Sequence, residues 1–296
     1  MTGNFRTILG GALLALALAG GAAVASEDCL APGEVRDKDV ARNAKLIGAQ
    51  KGLCLSALDF EENGITWRVT VIDDSAQPDG PTIYLLHDNE DSAFDAGLYS
   101  VLKYGGRLIA LESGESRTHQ GQDPNRNFGM TKKATAACAD MRVKPAPLFT
   151  QFLLDLRNPR IAFFLTLHNN ADGHRGNGGS GGISAKRTSA VMTGMMSPKG
   201  NADEDDAVLL AGKQPYEKNR RAKMAAGFFL ERGINVIYEH VRPERNDCSF
   251  SNYVVLNDLG EYYNIEAQHG HTAQQKAMLD SMMTFHRIGV RNNAIR

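Results

Sequence analysis

His87 and Glu90 are the first residues in the chain whose types and spacing suggest chemistry. They follow the apolar run at residues 83–86, which predicts a buried strand that stops at the histidine. An imidazole nitrogen and a carboxylate oxygen three residues apart can bind one metal ion from the turn beyond such a strand. With a third protein ligand and a water molecule, they would form the open tetrahedral set of a catalytic zinc site.

Two further predicted strands end in residues of the same kind. The apolar run at residues 161–167 is followed by His168, and the run at residues 262–265 is followed by Glu266. Open α/β sheets place their sites beyond the carboxyl ends of their strands. We therefore expect His168 and Glu266 to lie at the same edge of one sheet as the first histidine.

The elements that must position these residues alternate along the chain. We predict strands at residues 65–71, 83–86, 107–111, 161–167, 235–238 and 262–266, and helices at 94–102, 148–156, 219–231 and 272–288. Residues 40–50 also have helical spacing. Several of the strands are apolar nearly throughout, which is typical of a sheet covered on both faces. The predicted fold class is α/β, with a mixed, mostly parallel central sheet and helices on both faces.

Two segments show no strong periodicity. Residues 184–215 are mostly polar, and we expect the acidic patch at residues 203–206 to be a solvated loop. The glycine-rich run at residues 173–182 lacks the Lys-Ser/Thr of a phosphate-binding loop. We predict that it is a flexible loop at the mouth of the site.

Composition limits the class of partner. The chain has 296 residues, 42% of them hydrophobic, so it can bury a sizeable core. Its formal net charge is −1, and it has neither a basic stripe nor a run of interleaved aromatic residues. The electrostatic pattern of phosphate binding is absent from the sequence, so we expect no nucleic-acid partner.

The N-terminus has the pattern of a secretory signal. Arg6 is the only charge before Glu27, residues 8–19 are apolar, and residues 23–25 read Ala-Val-Ala. We predict a signal peptide at residues 1–25, cut after Ala25, and a periplasmic or secreted protein with no stable membrane association afterwards. An uncleaved membrane anchor is the alternative. Residues 26–80 are predicted as a lead-in segment packed on a main domain at residues 81–296.

Four cysteines follow the predicted cleavage point, at Cys29, Cys54, Cys138 and Cys248. An even count in an exported protein is consistent with two disulfides, although four cysteines allow three pairings. We favour one local bond, Cys29 with Cys54, and one long-range bond, Cys138 with Cys248.

The segment between the first two strand-end histidines carries a more specific motif. Arg117 lies in Ser-Arg-Thr, and residues 123–128 read Asp-Pro-Asn-Arg-Asn-Phe. This motif, placed after His-x-x-Glu and before a strand-terminal histidine, resembles the zinc carboxypeptidase superfamily. The resemblance covers roughly residues 80–290 in the family's order.

The resemblance implies a metal site and a base. His87, Glu90 and His168 would bind Zn²⁺ with water in the fourth position, and Glu266 would act as general base on that water. Glu261, just before the same predicted strand, is the rival for the role of base.

The resemblance also implies the groups that hold substrate. Arg117 would polarise the scissile carbonyl, although its spacing to the Asn-Arg pair is short and a surface arginine is the alternative. Asn125 and Arg126 would bind the terminal carboxylate, since a guanidinium can donate two parallel hydrogen bonds. Tyr253 would be the mobile tyrosine that caps bound substrate, and a core tyrosine is the alternative. Three other tyrosines compete with it, namely Tyr238, Tyr262 and Tyr263.

The sequence thus predicts an exported zinc-dependent, metallocarboxypeptidase-like hydrolase that cleaves a peptide amide bond. The stem peptides of the cell wall (muropeptides) are a plausible substrate class for that compartment. One alternative is an N-acyl amino acid deacylase resembling aspartoacylase and succinylglutamate desuccinylase, which share the ligand scheme. Another is a non-catalytic zinc- or peptide-binding module that kept the fold.

Overall fold

The computed structural model describes residues 29–129, 138, 145–172, 183–200 and 203–290. In these residues nine strands form one sheet, in the order β1-β2-β4-β3-β5-β9-β7-β8-β6. Their bounds are Leu53–Glu62 (β1), Ile65–Asp74 (β2), Thr82–Leu85 (β3), Arg107–Leu111 (β4), Phe163–Asn170 (β5), Met192–Met195 (β6), Ala207–Gly212 (β7), Asn235–His240 (β8) and Glu261–Gln268 (β9).

The centre of the sheet is parallel and its two margins are antiparallel. Strands β4, β3, β5 and β9 run in one direction, and β7 and β8 are parallel to each other. The remaining pairings, β1 with β2, β2 with β4, β7 with β9 and β6 with β8, are antiparallel. This is the mixed sheet that the sequence predicts. Its parallel centre brings the carboxyl ends of β3, β5 and β9 to one edge.

Seven α-helices accompany the sheet within the described residues. They span Lys38–Arg42 (α1), Ala44–Gly48 (α2), Asp91–Tyr104 (α3), Pro147–Asp155 (α4), Arg220–Leu230 (α5), Phe250–Leu256 (α6) and Thr272–Phe285 (α7). One core cluster contains side chains of α3, α5 and α7, and a second contains side chains of α4 and α6. Alternate residues of β3 enter the two clusters, Ile83 the first and Tyr84 the second. Helices therefore cover both faces, as predicted.

The segment before residue 81 extends the same sheet. Strand β1, which the sequence analysis did not predict, pairs with β2 along its whole length, and β2 pairs with β4. The helical spacing of residues 40–50 corresponds to two short helices, α1 and α2, that meet at Asn43. The division of the chain at residue 80 stays a prediction.

Residues 184–215 contain more structure than their polarity suggested. Strands β6 and β7 lie here, and β7 pairs with both β8 and β9. The prediction of a solvated acidic loop is wrong, because Glu204, Asp205 and Asp206 are all buried, with exposures of at most 2%. These residues directly precede β7, which lies between β8 and β9, so the neighbouring strands help to bury their side chains.

Both favoured disulfides are confirmed, Cys29 with Cys54 and Cys138 with Cys248. Of the helices in the described part of the chain, none is long and apolar enough to cross a membrane. The predicted signal peptide at residues 1–25 and the glycine-rich loop at residues 173–182 lie outside the described residues.

Candidate metal centre

Three metal-ligating side chains converge at the carboxyl edge of the parallel strands. His87 lies two residues beyond β3, Glu90 immediately precedes α3, and His168 lies within β5. The Nδ1 atom of His87 lies 2.9 Å from Glu90 Oε1 and 3.1 Å from His168 Nδ1, and His168 Nδ1 lies 2.9 Å from Glu90 Oε2. All three residues are buried, with exposures of 2–4%. The strand ends that the sequence predicted thus bring these three side chains together.

The charge balance of this group suits a cation. Burial alone would raise the pKa of Glu90, but the imidazoles of His168 and His87 outweigh it and lower the pKa to about 2. Burial opposes charging of His87, while its contacts with Asp123 and Glu90 raise its pKa above the ordinary value. A buried carboxylate that is stabilised mainly by two imidazoles is an environment in which a divalent ion can replace their protons.

Each imidazole also has a partner on its outward side. His87 Nε2 lies 2.8 Å from Asp123 Oδ1, and His168 Nε2 lies 3.3 Å from Asn125 Nδ2. An imidazole held by a carboxylate on its far nitrogen is the usual support of a metal-binding histidine, because the contact fixes the ring and its tautomer. Two imidazoles and one carboxylate, converging and supported in this way, fit a divalent transition metal.

Glu266 lies beside the three donors on the neighbouring strand. In the parallel pairing of β5 with β9, Glu266 is in register with His168. Its carboxylate accepts hydrogen bonds from two amides, Asn264 Nδ2 at 2.8 Å and Asn170 Nδ2 at 3.3 Å. The residue is 6% exposed. Both carboxylate oxygens are therefore held in place, next to the His168 side of the centre.

Arg117 reaches the same centre from the loop after β4. Its guanidinium lies 3.4 Å from Glu90 Oε1 and 3.7 Å from Asp123 Oδ2, and half of the side chain is exposed. Because one side of this guanidinium is open to water, it can still donate a hydrogen bond to an oxygen atom of a ligand.

Asn125 and Arg126 lie in a short 3₁₀ helix, Pro124–Arg126, that Asp123 caps through the backbone N–H of Asn125. The Oδ1 atom of Asn125 accepts a hydrogen bond from the backbone N–H of Phe250 at 3.0 Å. Arg126 donates to the Asn125 carbonyl and lies 3.4 Å from Asp247 Oδ2, with 36% of its side chain exposed. The turn is thus anchored to the start of α6, and the guanidinium remains accessible.

Tyr253 does not have the surroundings predicted for it. It lies in α6 with 6% exposure, and its ring packs near that of Phe128, at 6.1 Å between centroids. Those surroundings suit the alternative interpretation, a core tyrosine. A side chain packed in a buried cluster is not free to swing over a ligand, so we give Tyr253 no part in the site.

The sequence analysis assigned no role to three side chains that the structure places here. Asp123 was visible as the first letter of the Asp-Pro-Asn-Arg-Asn-Phe motif, but its contact with His87 was not predicted. Asn170 lies two positions after His168, and Asn264 lies two positions before Glu266. Each asparagine therefore points to the same face of its strand as that residue.

A second group of potential ligands lies nearby. The Nδ1 atom of His271 lies 3.0 Å from Asp206 Oδ2 and 3.6 Å from Asp203 Oδ2. His271 and Asp203 have side-chain exposures of 39% and 24%. Asp206 also accepts a hydrogen bond from the backbone N–H of Gln268 at 2.9 Å. This partly exposed contact connects the start of β7 to the turn between β9 and α7.

Comparisons with known proteins give partial likenesses of fold. No protein-family model matches the chain, and no curated protein sequence matches it. A metallo-carboxypeptidase from Burkholderia cenocepacia shares 10% identity over 83% of this chain and 68% of its own, with a TM-score of 0.44. A putative carboxypeptidase A from Shewanella denitrificans gives the same values.

The cell shape determinant protein Csd4 of Helicobacter pylori, in a Gln-to-His variant, shares 14% identity over 80% of this chain, with a TM-score of 0.42. The match spans 56% of the length of that protein. Likenesses at this level transfer no residue role and no activity to this chain.

Proposed function

We propose that this chain is a zinc-dependent hydrolase of the metallocarboxypeptidase type, which cleaves the amide bond next to a free terminal carboxylate. The observation that carries the proposal is the convergence of His87, Glu90 and His168, with Glu266 in register beside His168. Two imidazoles and one carboxylate leave one tetrahedral position open, which is typical of catalytic rather than structural zinc sites. When bound there, zinc would supply Lewis-acid chemistry and lower the pKa of water to about 7.

Glu266 is the residue that we propose for proton transfer. Its carboxylate is held by Asn264 and Asn170, so its position is fixed before substrate arrives. From there it would take a proton from the attacking water and deliver it to the leaving amine. General acid–base catalysis of this kind is worth about 10²- to 10⁴-fold in rate.

Arg117, Asn125 and Arg126 would bind and orient the substrate. Arg117, half exposed beside Glu90, can donate to the carbonyl oxygen of the bond that is cut. Arg126, accessible beside Asn125, can pair with the terminal carboxylate. The two arginines would then meet the two places where a peptide ending in a carboxylate carries negative or developing negative charge.

Export supports a peptide substrate from outside the cytoplasm. The N-terminal pattern predicts a signal peptide, and the two disulfides fit an oxidising compartment. In a Gram-negative periplasm the abundant oligopeptides are cell-wall stem peptides. Muropeptides are therefore the first substrates that we would test, with D as well as L residues at the cleaved end.

The variant Glu266→Gln tests the proposal. We expect it to bind one zinc per chain, like the wild type, and to lose about 10²- to 10⁴-fold in kcat, because only proton transfer is removed. The matched control is Glu261→Gln, on the same strand, whose carboxylate is bound by Arg221. The control should keep wild-type activity.

The substrate panel separates the alternatives. It contains muropeptides, simple peptides with a free carboxyl terminus, and N-acyl amino acids such as N-acetylaspartate. Cleavage of the N-acyl amino acids alone would favour the deacylase alternative. One zinc per chain with no hydrolysis of any amide would favour a binding module. Full activity in Glu266→Gln would remove Glu266 from the mechanism.

A further inference from the structure

Two buried amide side chains lie behind the metal centre, on the face of the sheet that α3 and α7 cover. They belong to Asn169 in β5 and Gln275 in α7, with exposures of 4% and 0%. Asn169 directly follows His168, so its side chain points to the opposite face of the strand. The two amides are therefore outside the ligand set but next to its backbone.

Asn169 connects β5 to the start of α3 and to β9. Its Oδ1 atom accepts a hydrogen bond from the backbone N–H of Ala93 at 2.9 Å. Ala93 lies in the first turn of α3, and its N–H also donates to the carbonyl of Glu90 at 2.9 Å. On its other side, Asn169 Nδ2 donates to the carbonyl of Ala267 in β9 at 3.2 Å. One side chain thus contacts the helix start that carries a metal ligand and the strand that carries the proposed base.

Gln275 reaches the same two strands from α7. Its Nε2 atom donates to the carbonyl of His168 at 3.0 Å and to the carbonyl of Ile265 at 3.2 Å. Its Oε1 atom accepts a hydrogen bond from Asn169 Nδ2 at 3.0 Å. Ile265 directly precedes Glu266, so Gln275 bonds the backbone of one ligand and of the residue beside the base.

The energetics of such a network favour rigidity. A buried amide whose donors and acceptor are all bonded is costly to displace, because any movement leaves a polar group unpaired away from water. Metal affinity depends on ligand atoms that are already held at the right spacing before the ion arrives. A network that joins the start of α3, β5 and β9 can supply this constraint through the backbone.

We propose that Asn169 and Gln275 are positioning residues, which hold Glu90, His168 and Glu266 at the spacing that a metal ion and its attacking water require. They touch neither metal nor substrate and act through the backbone of the residues that do. This inference rests on the metal centre of the proposed function.

A second contact between the same two helices provides a matched control. Asp280 lies further along α7 and joins it to the far end of α3. Its carboxylate accepts hydrogen bonds from the hydroxyls of Tyr99 at 3.0 Å and Tyr104 at 2.7 Å, and from Lys103 Nζ at 2.9 Å. Weakening this contact loosens the packing of α7 on α3 away from the metal centre.

The test compares Gln275→Met with Asp280→Asn. Methionine keeps the length of the side chain but lacks the amide donors and the amide acceptor. We expect zinc affinity, measured by competition with a chelator, to fall about 10-fold in Gln275→Met, the lower end of the range for outer partners of metal ligands. The visible absorption spectrum of the cobalt-substituted protein should also change, because it reports the geometry of the ligands.

Asp280→Asn should lower the midpoint of urea unfolding and keep both the zinc affinity and the cobalt spectrum of the wild type. A general loss of stability is thereby separated from a change at the metal centre. Asn169→Ala removes the other half of the network and should shift both metal readouts in the same direction as Gln275→Met. It decides the test if Gln275→Met does not fold.

The outcomes distinguish this inference from the proposed function. An unchanged zinc affinity and cobalt spectrum in Gln275→Met and Asn169→Ala would overturn the positioning role, even if the wild type hydrolyses peptides. Equal loss of zinc affinity in Asp280→Asn would also overturn it, since any loosening of α7 would then suffice. Metal readouts that shift as expected, in a protein that cleaves no amide, would support the positioning role and overturn the proposed function.

Discussion

Glu90, at the carboxyl edge of the parallel strands, and Glu239, on β8, are two fully or partly buried glutamates, and their electrostatic surroundings are opposite. Glu90 lies between the imidazoles of His87 and His168, and its pKa is lowered to about 2. Glu239 contacts an amide and a hydroxyl; its burial, with Asp247 adding to the effect, raises its pKa to about 7. Burial opposes ionisation in both cases, so the difference comes from the partners.

The comparison separates two uses of a buried acid. Where the partners are themselves ligands, the carboxylate is already ionised and can share a metal with them. Where the partners are neutral donors, the charge is oriented but not compensated, and a cationic ligand would gain by supplying the compensation. The three variants that follow test this difference.

The largest effect is expected for Glu90→Gln. The change keeps the shape of the side chain but replaces the anionic ligand by an amide, leaving two imidazoles. Outer partners of metal ligands are worth about 10- to 100-fold in metal affinity, so the loss of a ligand should exceed 100-fold. Elemental analysis after dialysis should find one zinc per chain in the wild type and almost none in the variant.

The control for this variant comes from the second ligand group. His271→Ala dismantles the cluster with Asp203 and Asp206, in which the His271 side chain is 39% exposed. We expect it to retain the zinc. Zinc retained in Glu90→Gln but lost in His271→Ala would move the metal centre to the other cluster.

A smaller effect is expected for Asp123→Asn. The variant leaves all three ligands in place but weakens the contact, 2.8 Å in length, that holds His87 Nε2. We expect zinc affinity to fall about 10- to 100-fold, measured by competition with a chelator. Asp247→Asn, which alters the partner of Arg126 instead, should keep wild-type zinc affinity. An unchanged affinity in Asp123→Asn would mean that other packing fixes the imidazole.

The metal centre was predictable from the sequence because His87, His168 and Glu266 each directly follow a run of buried, mostly apolar residues. The runs before His87, His168 and Glu266 are buried on both faces, so their position in a parallel sheet follows from their composition. Parallel strands then bring those ends to one edge, and the pairing of His168 with Glu266 is the result. The local sequence pattern and the parallel topology were enough to predict that these residues lie close together.

Other parts of the molecule depend on contacts that no local pattern shows. Strand β7 is six residues long and lies in a polar segment. The acidic residues 204–206 that precede it are buried because β8 and β9 flank the strand. The contact of Asp123 with His87 joins residues 36 positions apart. Among the residues that the structure describes, the contacts of Glu239 are with neutral donors, and this is a property of its whole neighbourhood. Such features require the assembled fold.

The smallest effect, and the one of opposite sign, is expected for Glu239→Gln. The folded-state pKa of Glu239, about 7, lies above the ordinary value of 4.5. Between these values the folded protein holds more protons than the unfolded chain, so stability is lost as the pH rises through this window. From pH 5 to pH 8 this loss is about 1 to 3 kcal/mol for such a shift. Glu239→Gln should remove this loss of stability, so the variant should be about as stable as the wild type at pH 5 and more stable at pH 8.

Urea unfolding at both pH values measures the difference. The control is Glu244→Gln, at an exposed glutamate of the same surface, which is expected to follow the wild type. A variant that is less stable than wild type at pH 8 would show that the carboxylate is already compensated in the free protein, and the contrast with Glu90 would then disappear.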